Sequence, residues 1–355
     1  MPFTLNEKLK DLQPYDPIEG EYPIRLDANE SFLEMPMELL EQAQYAMADI
    51  PFNRYPDPYA KELCTSFGTY YGVDPSLVTA GNGSDELISI IETAFLMKGD
   101  AILTVAPDFS MYRFYSSLVE AKSVVYQKGE DLTIDVDELI FAANNSGAKL
   151  LLFSNPCNPT SLGLNREEVR RLVRSVSALV VLDEAYMDFW DQSLLSEVEQ
   201  YDNLIILRTC SKAFGMAGIR LGFAVANPIL TRALRAVKSP YNVNSVTQKV
   251  GTIILNSGEV LNQAIAELIG ARKALYQAVK ELETAFPEKL HVYDSCTNFV
   301  LVRLPNARRV FDALLEKGIA VRFMGDTLRI TAGSPEENER FLENFKELLS
   351  SSTNL

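Results

Sequence analysis

Residues 203–227 read NLIILRTCSKAFGMAGIRLGFAVAN. Two nearly continuous apolar runs enclose a loop of small and polar residues that carries Lys212 and Arg220. Apolar runs that do not alternate suit strands covered on both faces, as in a parallel sheet packed between helices. The pattern recurs upstream in AILTVAP (101–107), KLLLFSNP (149–156) and ALVVLDEAY (178–186). Between these runs, DELISIIETAFLMKG (85–99) and REEVRRLVRSV (166–176) place apolar residues three and four apart, the period of a helix with one buried face. Such alternation predicts an α/β fold whose central sheet is mostly parallel and covered by helices. Residues 45–258 are assigned to this large domain.

The flanks read differently. LQPYDPIEGEYPIRLDANES (12–31) is rich in proline and acid, forms an arm, and leads into a helix near Met37–Met47. Residues 1–44 are assigned to that arm and to part of a small domain. Downstream, a long helical stretch from about Val260 to Ala285 carries the chain out of the large domain. It is followed by strands HVYDS and NFVLVRL, helix ARRVFDALLEKG, strands AVRFM and TLRIT, and helix PEENERFLENFKELLS. Residues 259–355 thus comprise a connecting helix and a small C-terminal α+β domain.

The 355 residues carry 48 acidic against 33 basic side chains, a net charge of −15. That balance opposes a nucleic-acid partner, since phosphate backbones draw basic surfaces. No apolar run approaches the roughly 20 residues of a membrane span, so no membrane association is expected. Charges in MPFTLNEKLKDL occupy the place of a secretory signal's apolar stretch, and a cytoplasmic protein is expected. Cys64, Cys157, Cys210 and Cys296 lack CxxC spacing and read as reduced thiols. With His291 as the one histidine, Ser-His-Asp chemistry drops out and no metal is expected.

Ligand sites in open α/β sheets lie beyond the carboxyl ends of the strands. SNPCNPT (154–160), DEAY (183–186) and Ser211–Lys212 each follow an apolar run, and GNGSDE (81–86) opens a helix. Singly, each has an ordinary reading: a helix cap at Ser84 or Asp85, a solvated lysine, an ion-paired aspartate, a core tyrosine at 186. Together they bring a glycine-rich helix start, two cations, a hydroxyl and an acid to one edge. A phosphate suits the helix start, and a desolvated lysine beside a cation is a nucleophilic amine for a carbonyl group.

The set resembles the fold type I pyridoxal-phosphate enzymes, and within them the histidinol-phosphate aminotransferases. The resemblance runs from LDANES through NRYPDP, GNGSDE, PDFSMY, SNPCNPT, VVLDEAY, TCSKAFGMAGIRLGF and KSPYNVN to TNFVLVRL and LRITAG. It implies pyridoxal 5'-phosphate held by Lys212 as a Schiff base, with Asp183 on the pyridine nitrogen. Asn158 and Tyr186 would bond the ring 3'-oxygen, and Phe109 would lie on the ring. Thr209, Ser211, Arg220 and the backbone of Gly83, Ser84 and Asp85 would hold the phosphate. Tyr55 would reach the neighbouring subunit's site, which implies a homodimer with shared active sites.

For substrate, the resemblance implies Arg329 on a carboxylate, whose two oxygens match a guanidinium fork, and Arg322 on the substrate phosphate. Tyr15 and Asn29 would line or close the pocket. The implied reaction moves an amino group from L-histidinol phosphate to 2-oxoglutarate, as in histidine biosynthesis. An aromatic amino-acid aminotransferase and a threonine-phosphate decarboxylase stay open as alternatives. One departure stands out: the usual NPTG is NPTS here, with Ser161 in the glycine's place. A turn of slightly different backbone geometry is expected there.

Overall fold

A computed structural model describes residues 3–10, 12 and 18–351. Two sheets organise these residues. The elements in chain order begin with α1 (Glu7–Lys10), β1 (Ile24–Leu26), α2 (Met37–Ala48), α3 (Lys61–Tyr71), β2 (Val78–Gly81), α4 (Ser84–Phe95) and β3 (Ala101–Ala106). Then come α5 (Met111–Leu118), β4 (Lys122–Gln127), α6 (Val136–Asn145), β5 (Ala148–Ser154), α7 (Arg166–Ser175), β6 (Leu179–Asp183), β7 (Leu204–Thr209) and β8 (Gly222–Ala226). The remainder is α8 (Pro228–Val237), α9 (Ser245–Leu255), α10 (Gly258–Ala285), β9 (His291–Val292), β10 (Phe299–Arg303), α11 (Ala307–Glu316), β11 (Ile319–Met324), β12 (Thr327–Thr331) and α12 (Pro335–Ser351).

The larger sheet has the order β2-β8-β7-β6-β5-β3-β4, parallel except where β8 runs against both β7 and β2. The strand period of two splits its apolar residues between two helical layers. Leu151, Phe153, Val180, Leu182, Leu204 and Ile206 face one cluster with Phe67 and Leu172. Leu150, Leu152, Val181, Ile205 and Leu207 face the other, with Leu87, Ile88, Ile91 and Tyr112. The same alternation sends Asp183 and Thr209 to the second face and Arg208 to the first. There Arg208 pairs with Glu184 at 2.9 Å and Asp188 at 2.8 Å.

The smaller sheet has the order β1-β11-β12-β10-β9. β1, from the N-terminal segment, pairs in parallel with β11, while β12 runs antiparallel to β10 and β11. A separate apolar cluster fills its helical side, with Leu275, Val279, Phe341 and Phe345 against Val300 and Ile330. The segment after β1 therefore starts on the small sheet and crosses to the large one.

Helix starts follow their sequences. Asn165 caps α7 and Glu168 returns the bond to the Asn165 amide, a reciprocal capping box. Asp135, Asn227 and Asn244 cap α6, α8 and α9 with their side chains. At α4 the cap is Gly83, and neither Ser84 nor Asp85 closes the first turn. α4 also ends at Phe95, so the LMKG of the predicted helix is loop.

Candidate active site

Lys212 follows β7 in a short loop and its ammonium donates to Ala28 O at 2.8 Å. Burial, and then Arg329, lower its pKa to about 8 from 10.5. That shift raises the neutral amine fraction at pH 7 by roughly 300-fold. Such an amine can attack a carbonyl carbon.

Asp183 ends β6 and is buried. Its Oδ2 accepts the Tyr112 hydroxyl at 2.8 Å and its Oδ1 the Ala185 amide at 3.1 Å. Burial raises its carboxyl to about 7, opposed by the Tyr112 hydrogen bond and reinforced by Asp108 and Asp85. It forms no ion pair among the described residues. A buried acid in that condition is stabilised by a cation placed against it.

On the other side of Lys212, Gly83, Ser84 and Asp85 meet Ser211 and Arg220. Gly83 has φ +84°, and a Cβ there would stand 2.8 Å from the Arg220 guanidinium. A Cβ on Gly222 would stand 2.5 Å from the Ser84 amide nitrogen. Two glycines thus let α4's amides, β8 and Arg220 close around one space. Arg220 adopts φ +50° and reaches Ser211 Oγ at 3.2 Å and Asp85 Oδ2 at 3.3 Å. An uncapped helix start beside a guanidinium is a receptor for a phosphate. Thr209 braces the loop instead, with its Oγ1 accepting the Ser211 amide at 3.2 Å.

Asn158 and Tyr186 connect this edge to the small sheet. Asn158 Oδ1 accepts from Arg329 of β12, whose guanidinium also donates to Asp27 O. Asn29, in the left-handed region at φ +53°, donates from Nδ2 to the Tyr186 oxygen at 2.8 Å. Thr331 and Asn298 hold Asn29 in turn. Burial pushes the Tyr186 phenol up to about 12, against the pull of Arg329 and Asn29. It therefore stays a hydroxyl at neutral pH, free to donate while it accepts from Asn29.

The other predicted residues are Arg322, Phe109, Tyr55 and Tyr15. Arg322 on β11 stands directly opposite Arg329 in the antiparallel register, so both project from one face. The ring of Phe109 meets Tyr112 edge-on at 5.5 Å. Tyr55 is 80% exposed and stacks on Tyr241 with centroids 4.5 Å apart. Tyr15 falls outside the described residues.

Sequence reading passed over Tyr112, Asp108 and Ala28. Asp108 binds the Ser154 hydroxyl and amide, and Ser154 Oγ accepts the Asn158 amide at 3.2 Å. The first two lie in PDFSMY, but their partners stand 71 and 46 residues away in the sequence. The NPTS turn is resolved as well: Ser161 itself takes the left-handed conformation at φ +62°. Its hydroxyl pairs with Ser295 at 3.0 Å and Thr297 at 2.6 Å.

These residues fit pyridoxal phosphate on three counts: a desolvated amine, a cradle that two Cβ atoms would fill, and a buried acid without a cation. Fold and site define a pyridoxal-phosphate-dependent enzyme of the aminotransferase class, and the chain belongs to the family described as aminotransferase class I and II, whose model matches residues 22–345. It is 39% identical over 348 residues to a histidinol-phosphate aminotransferase of Clostridium kluyveri, covering 97% of this chain and 98% of that one. A histidinol-phosphate aminotransferase of Clostridium novyi is 40% identical over 335 residues, with 93% of each chain covered. Among solved structures, the histidinol-phosphate aminotransferase of Sinorhizobium meliloti in complex with pyridoxal-5'-phosphate superposes with a TM-score of 0.85. It is 22% identical and the match covers 93% of this chain and 92% of that one, a likeness of fold.

Proposed function

We propose that this protein transfers the amino group of L-histidinol phosphate to 2-oxoglutarate, a step of histidine biosynthesis, with pyridoxal 5'-phosphate as cofactor. The observation that carries the choice of substrate is the cross-strand pair Arg322 and Arg329 at the edge of the Lys212 site. The donor carries a phosphate and the acceptor carries two carboxylates, so one fixed cation suits the donor and the other the acceptor. Full-length relatives at 39–40% identity carry the same name for their activity, which supports the choice.

When bound, the cofactor supplies an aldehyde that holds the amino group and a ring that accepts electrons. Lys212 would hold the cofactor through its aldehyde, and its amine would move the proton on and off the substrate carbon. Asp183 would hold a proton on the ring nitrogen. Asn158 and Tyr186 would donate to the ring 3'-oxygen, and Phe109 would cover the ring. Ser211, Arg220 and the amides of Gly83, Ser84 and Asp85 would hold the phosphate; Thr209 supports them through Ser211. Arg329 takes the carboxylate of 2-oxoglutarate and Arg322 the phosphate of the donor. Asn29 sets Tyr186 from behind.

The reading includes a cytoplasmic homodimer in which Tyr55 reaches the neighbouring site; its exposure beside Tyr241 supports this. It also includes a large domain over 45–258 and a small one built from 259–355 with the N-terminal arm. The test offers L-histidinol phosphate, phenylalanine and threonine phosphate in parallel to the loaded enzyme with 2-oxoglutarate. Glutamate should form fastest from histidinol phosphate. Faster turnover of phenylalanine, or carbon dioxide from threonine phosphate, would replace this reading with another.

A further inference from the structure

Tyr112 has no place in the reaction described so far, yet it touches the one acid that does. It sits on α5 at 1% exposure, inside the apolar cluster of Leu87, Ile88 and Val181. Its ring contributes packing, and Phe109 stands edge-on against it. A phenylalanine would pack as well. A tyrosine there has to find a partner for its hydroxyl, and the partner is Asp183 Oδ2 at 2.8 Å.

Asp183 is surrounded in a way that makes this bond count. From α4 Asp85, and from the loop before α5 Asp108, push its carboxyl toward the neutral form. Tyr186 adds a hydroxyl, and the Ala185 amide occupies Oδ1. Among the described residues Tyr112 is the one side-chain donor to Asp183. Its own phenol is driven far up by burial and by Asp183, so it is a donor at every working pH.

Resting on the reading that Asp183 faces the cofactor's ring nitrogen, we infer that Tyr112 is a positioning residue that orients Asp183 and holds it ionised. Its hydroxyl occupies one oxygen and fixes the carboxylate plane, leaving an in-plane lone pair aimed at the ring. Without that donor, Asp183 becomes a stronger base and a looser one. It then takes the ring proton for itself or turns away, and the ring draws electrons less well.

The experiment compares the loaded enzyme with Tyr112→Phe and Asp183→Asn, following the pH profile of kcat, both KM values and the cofactor dissociation constant. Tyr112→Phe should lower kcat at pH 7 about tenfold and raise the acid limb by about one pH unit. Activity should return toward wild type above that limb, with both KM values within about twofold and cofactor bound about tenfold more weakly. Asp183→Asn should lose at least about 100-fold in kcat at every pH. A second substitution, 3,5-difluorotyrosine at 112, keeps the shape but donates more strongly, and should move the limb down. An unmoved limb in both Tyr112 variants, with Asp183→Asn inactive, reduces Tyr112 to core packing. Full activity in Asp183→Asn instead overturns the reading of Asp183 itself.

Discussion

Ser161 adopts a conformation that costs a β-carbon about 1 kcal/mol, and two hydroxyl bonds offset it. Ser161→Ala keeps the strain and loses the bonds, so unfolding free energy should fall by about 2 kcal/mol. Ser161→Gly loses the bonds but relieves the strain, and should be the more stable of the two by about 1 kcal/mol in urea titrations. The reverse order would mean that the turn relaxes on mutation. Arg329 and Arg322 separate by a similar contrast. Arg329 also orders Asn158 and Asp27, so Arg329→Ala should raise KM for 2-oxoglutarate by at least about 100-fold and lower kcat as well. Arg322→Ala should raise KM for the phosphorylated donor about tenfold or more and leave 2-oxoglutarate within about twofold. Equal effects on both substrates would place the two arginines in one shared contact.

α4 combines a start proposed to hold phosphate with an unfavourable middle. Gly83→Ala puts a β-carbon into the Arg220 guanidinium at a φ that L residues avoid, so cofactor should dissociate at least about tenfold more readily, as read by equilibrium dialysis. Farther along, Glu92 is fully buried and neither oxygen has a partner. Burial alone lifts its carboxyl to about 8 from 4.5. The folded state thus holds a proton that the unfolded state releases between those values, and stability falls as pH rises from about 4.5 to 8. Glu92→Gln should match wild type near pH 5 and exceed it by about 4 kcal/mol at pH 9; a gap independent of pH would show that the acid finds water or a cation. The elements were unequally legible. The five apolar runs became β3 and β5 to β8, while VTAG and KSVVYQ, which form β2 and β4, were passed over. Both are edge strands, where a short or half-exposed strand carries no continuous apolar run. The loops at the strand ends announced the site because motif and position coincide there. Tyr112 did not, because its partner lies 71 residues away and only helix docking brings them together. Asn29 stands out in LDANES, but its bond to Tyr186 needs both sheets in place.

At the scale of the whole molecule, the centre is assembled across two sheets: Lys212 and Tyr186 follow strands of the larger one, while Arg329 sits in the smaller and residues 27–29 bridge them. No helix among the described residues is long and apolar enough to cross a membrane. One surface feature is unaccounted for within a single chain. Tyr55 and Tyr241 form an exposed stack between the loop before α3 and the loop before α9, and Phe52, in the first of these loops, is exposed too. Rings grouped outside a core mark a surface that another surface covers. In a two-fold dimer the same patch serves both copies, and each Tyr55 can lie at the other chain's phosphate cradle. Sharing of this kind makes a quantitative prediction. Tyr55→Ala keeps Lys212 but lacks the donated tyrosine; Lys212→Ala donates the tyrosine but has no amine. Unfolded together and refolded at equal amounts, half of the dimers are mixed and each mixed dimer holds one complete site. Activity should therefore rise above the mean of the two parent variants toward about one quarter of wild type. Light scattering should report twice the chain mass throughout. Activity that stays at the parental mean, with mixed dimers present, would place Tyr55 outside the site it is proposed to complete.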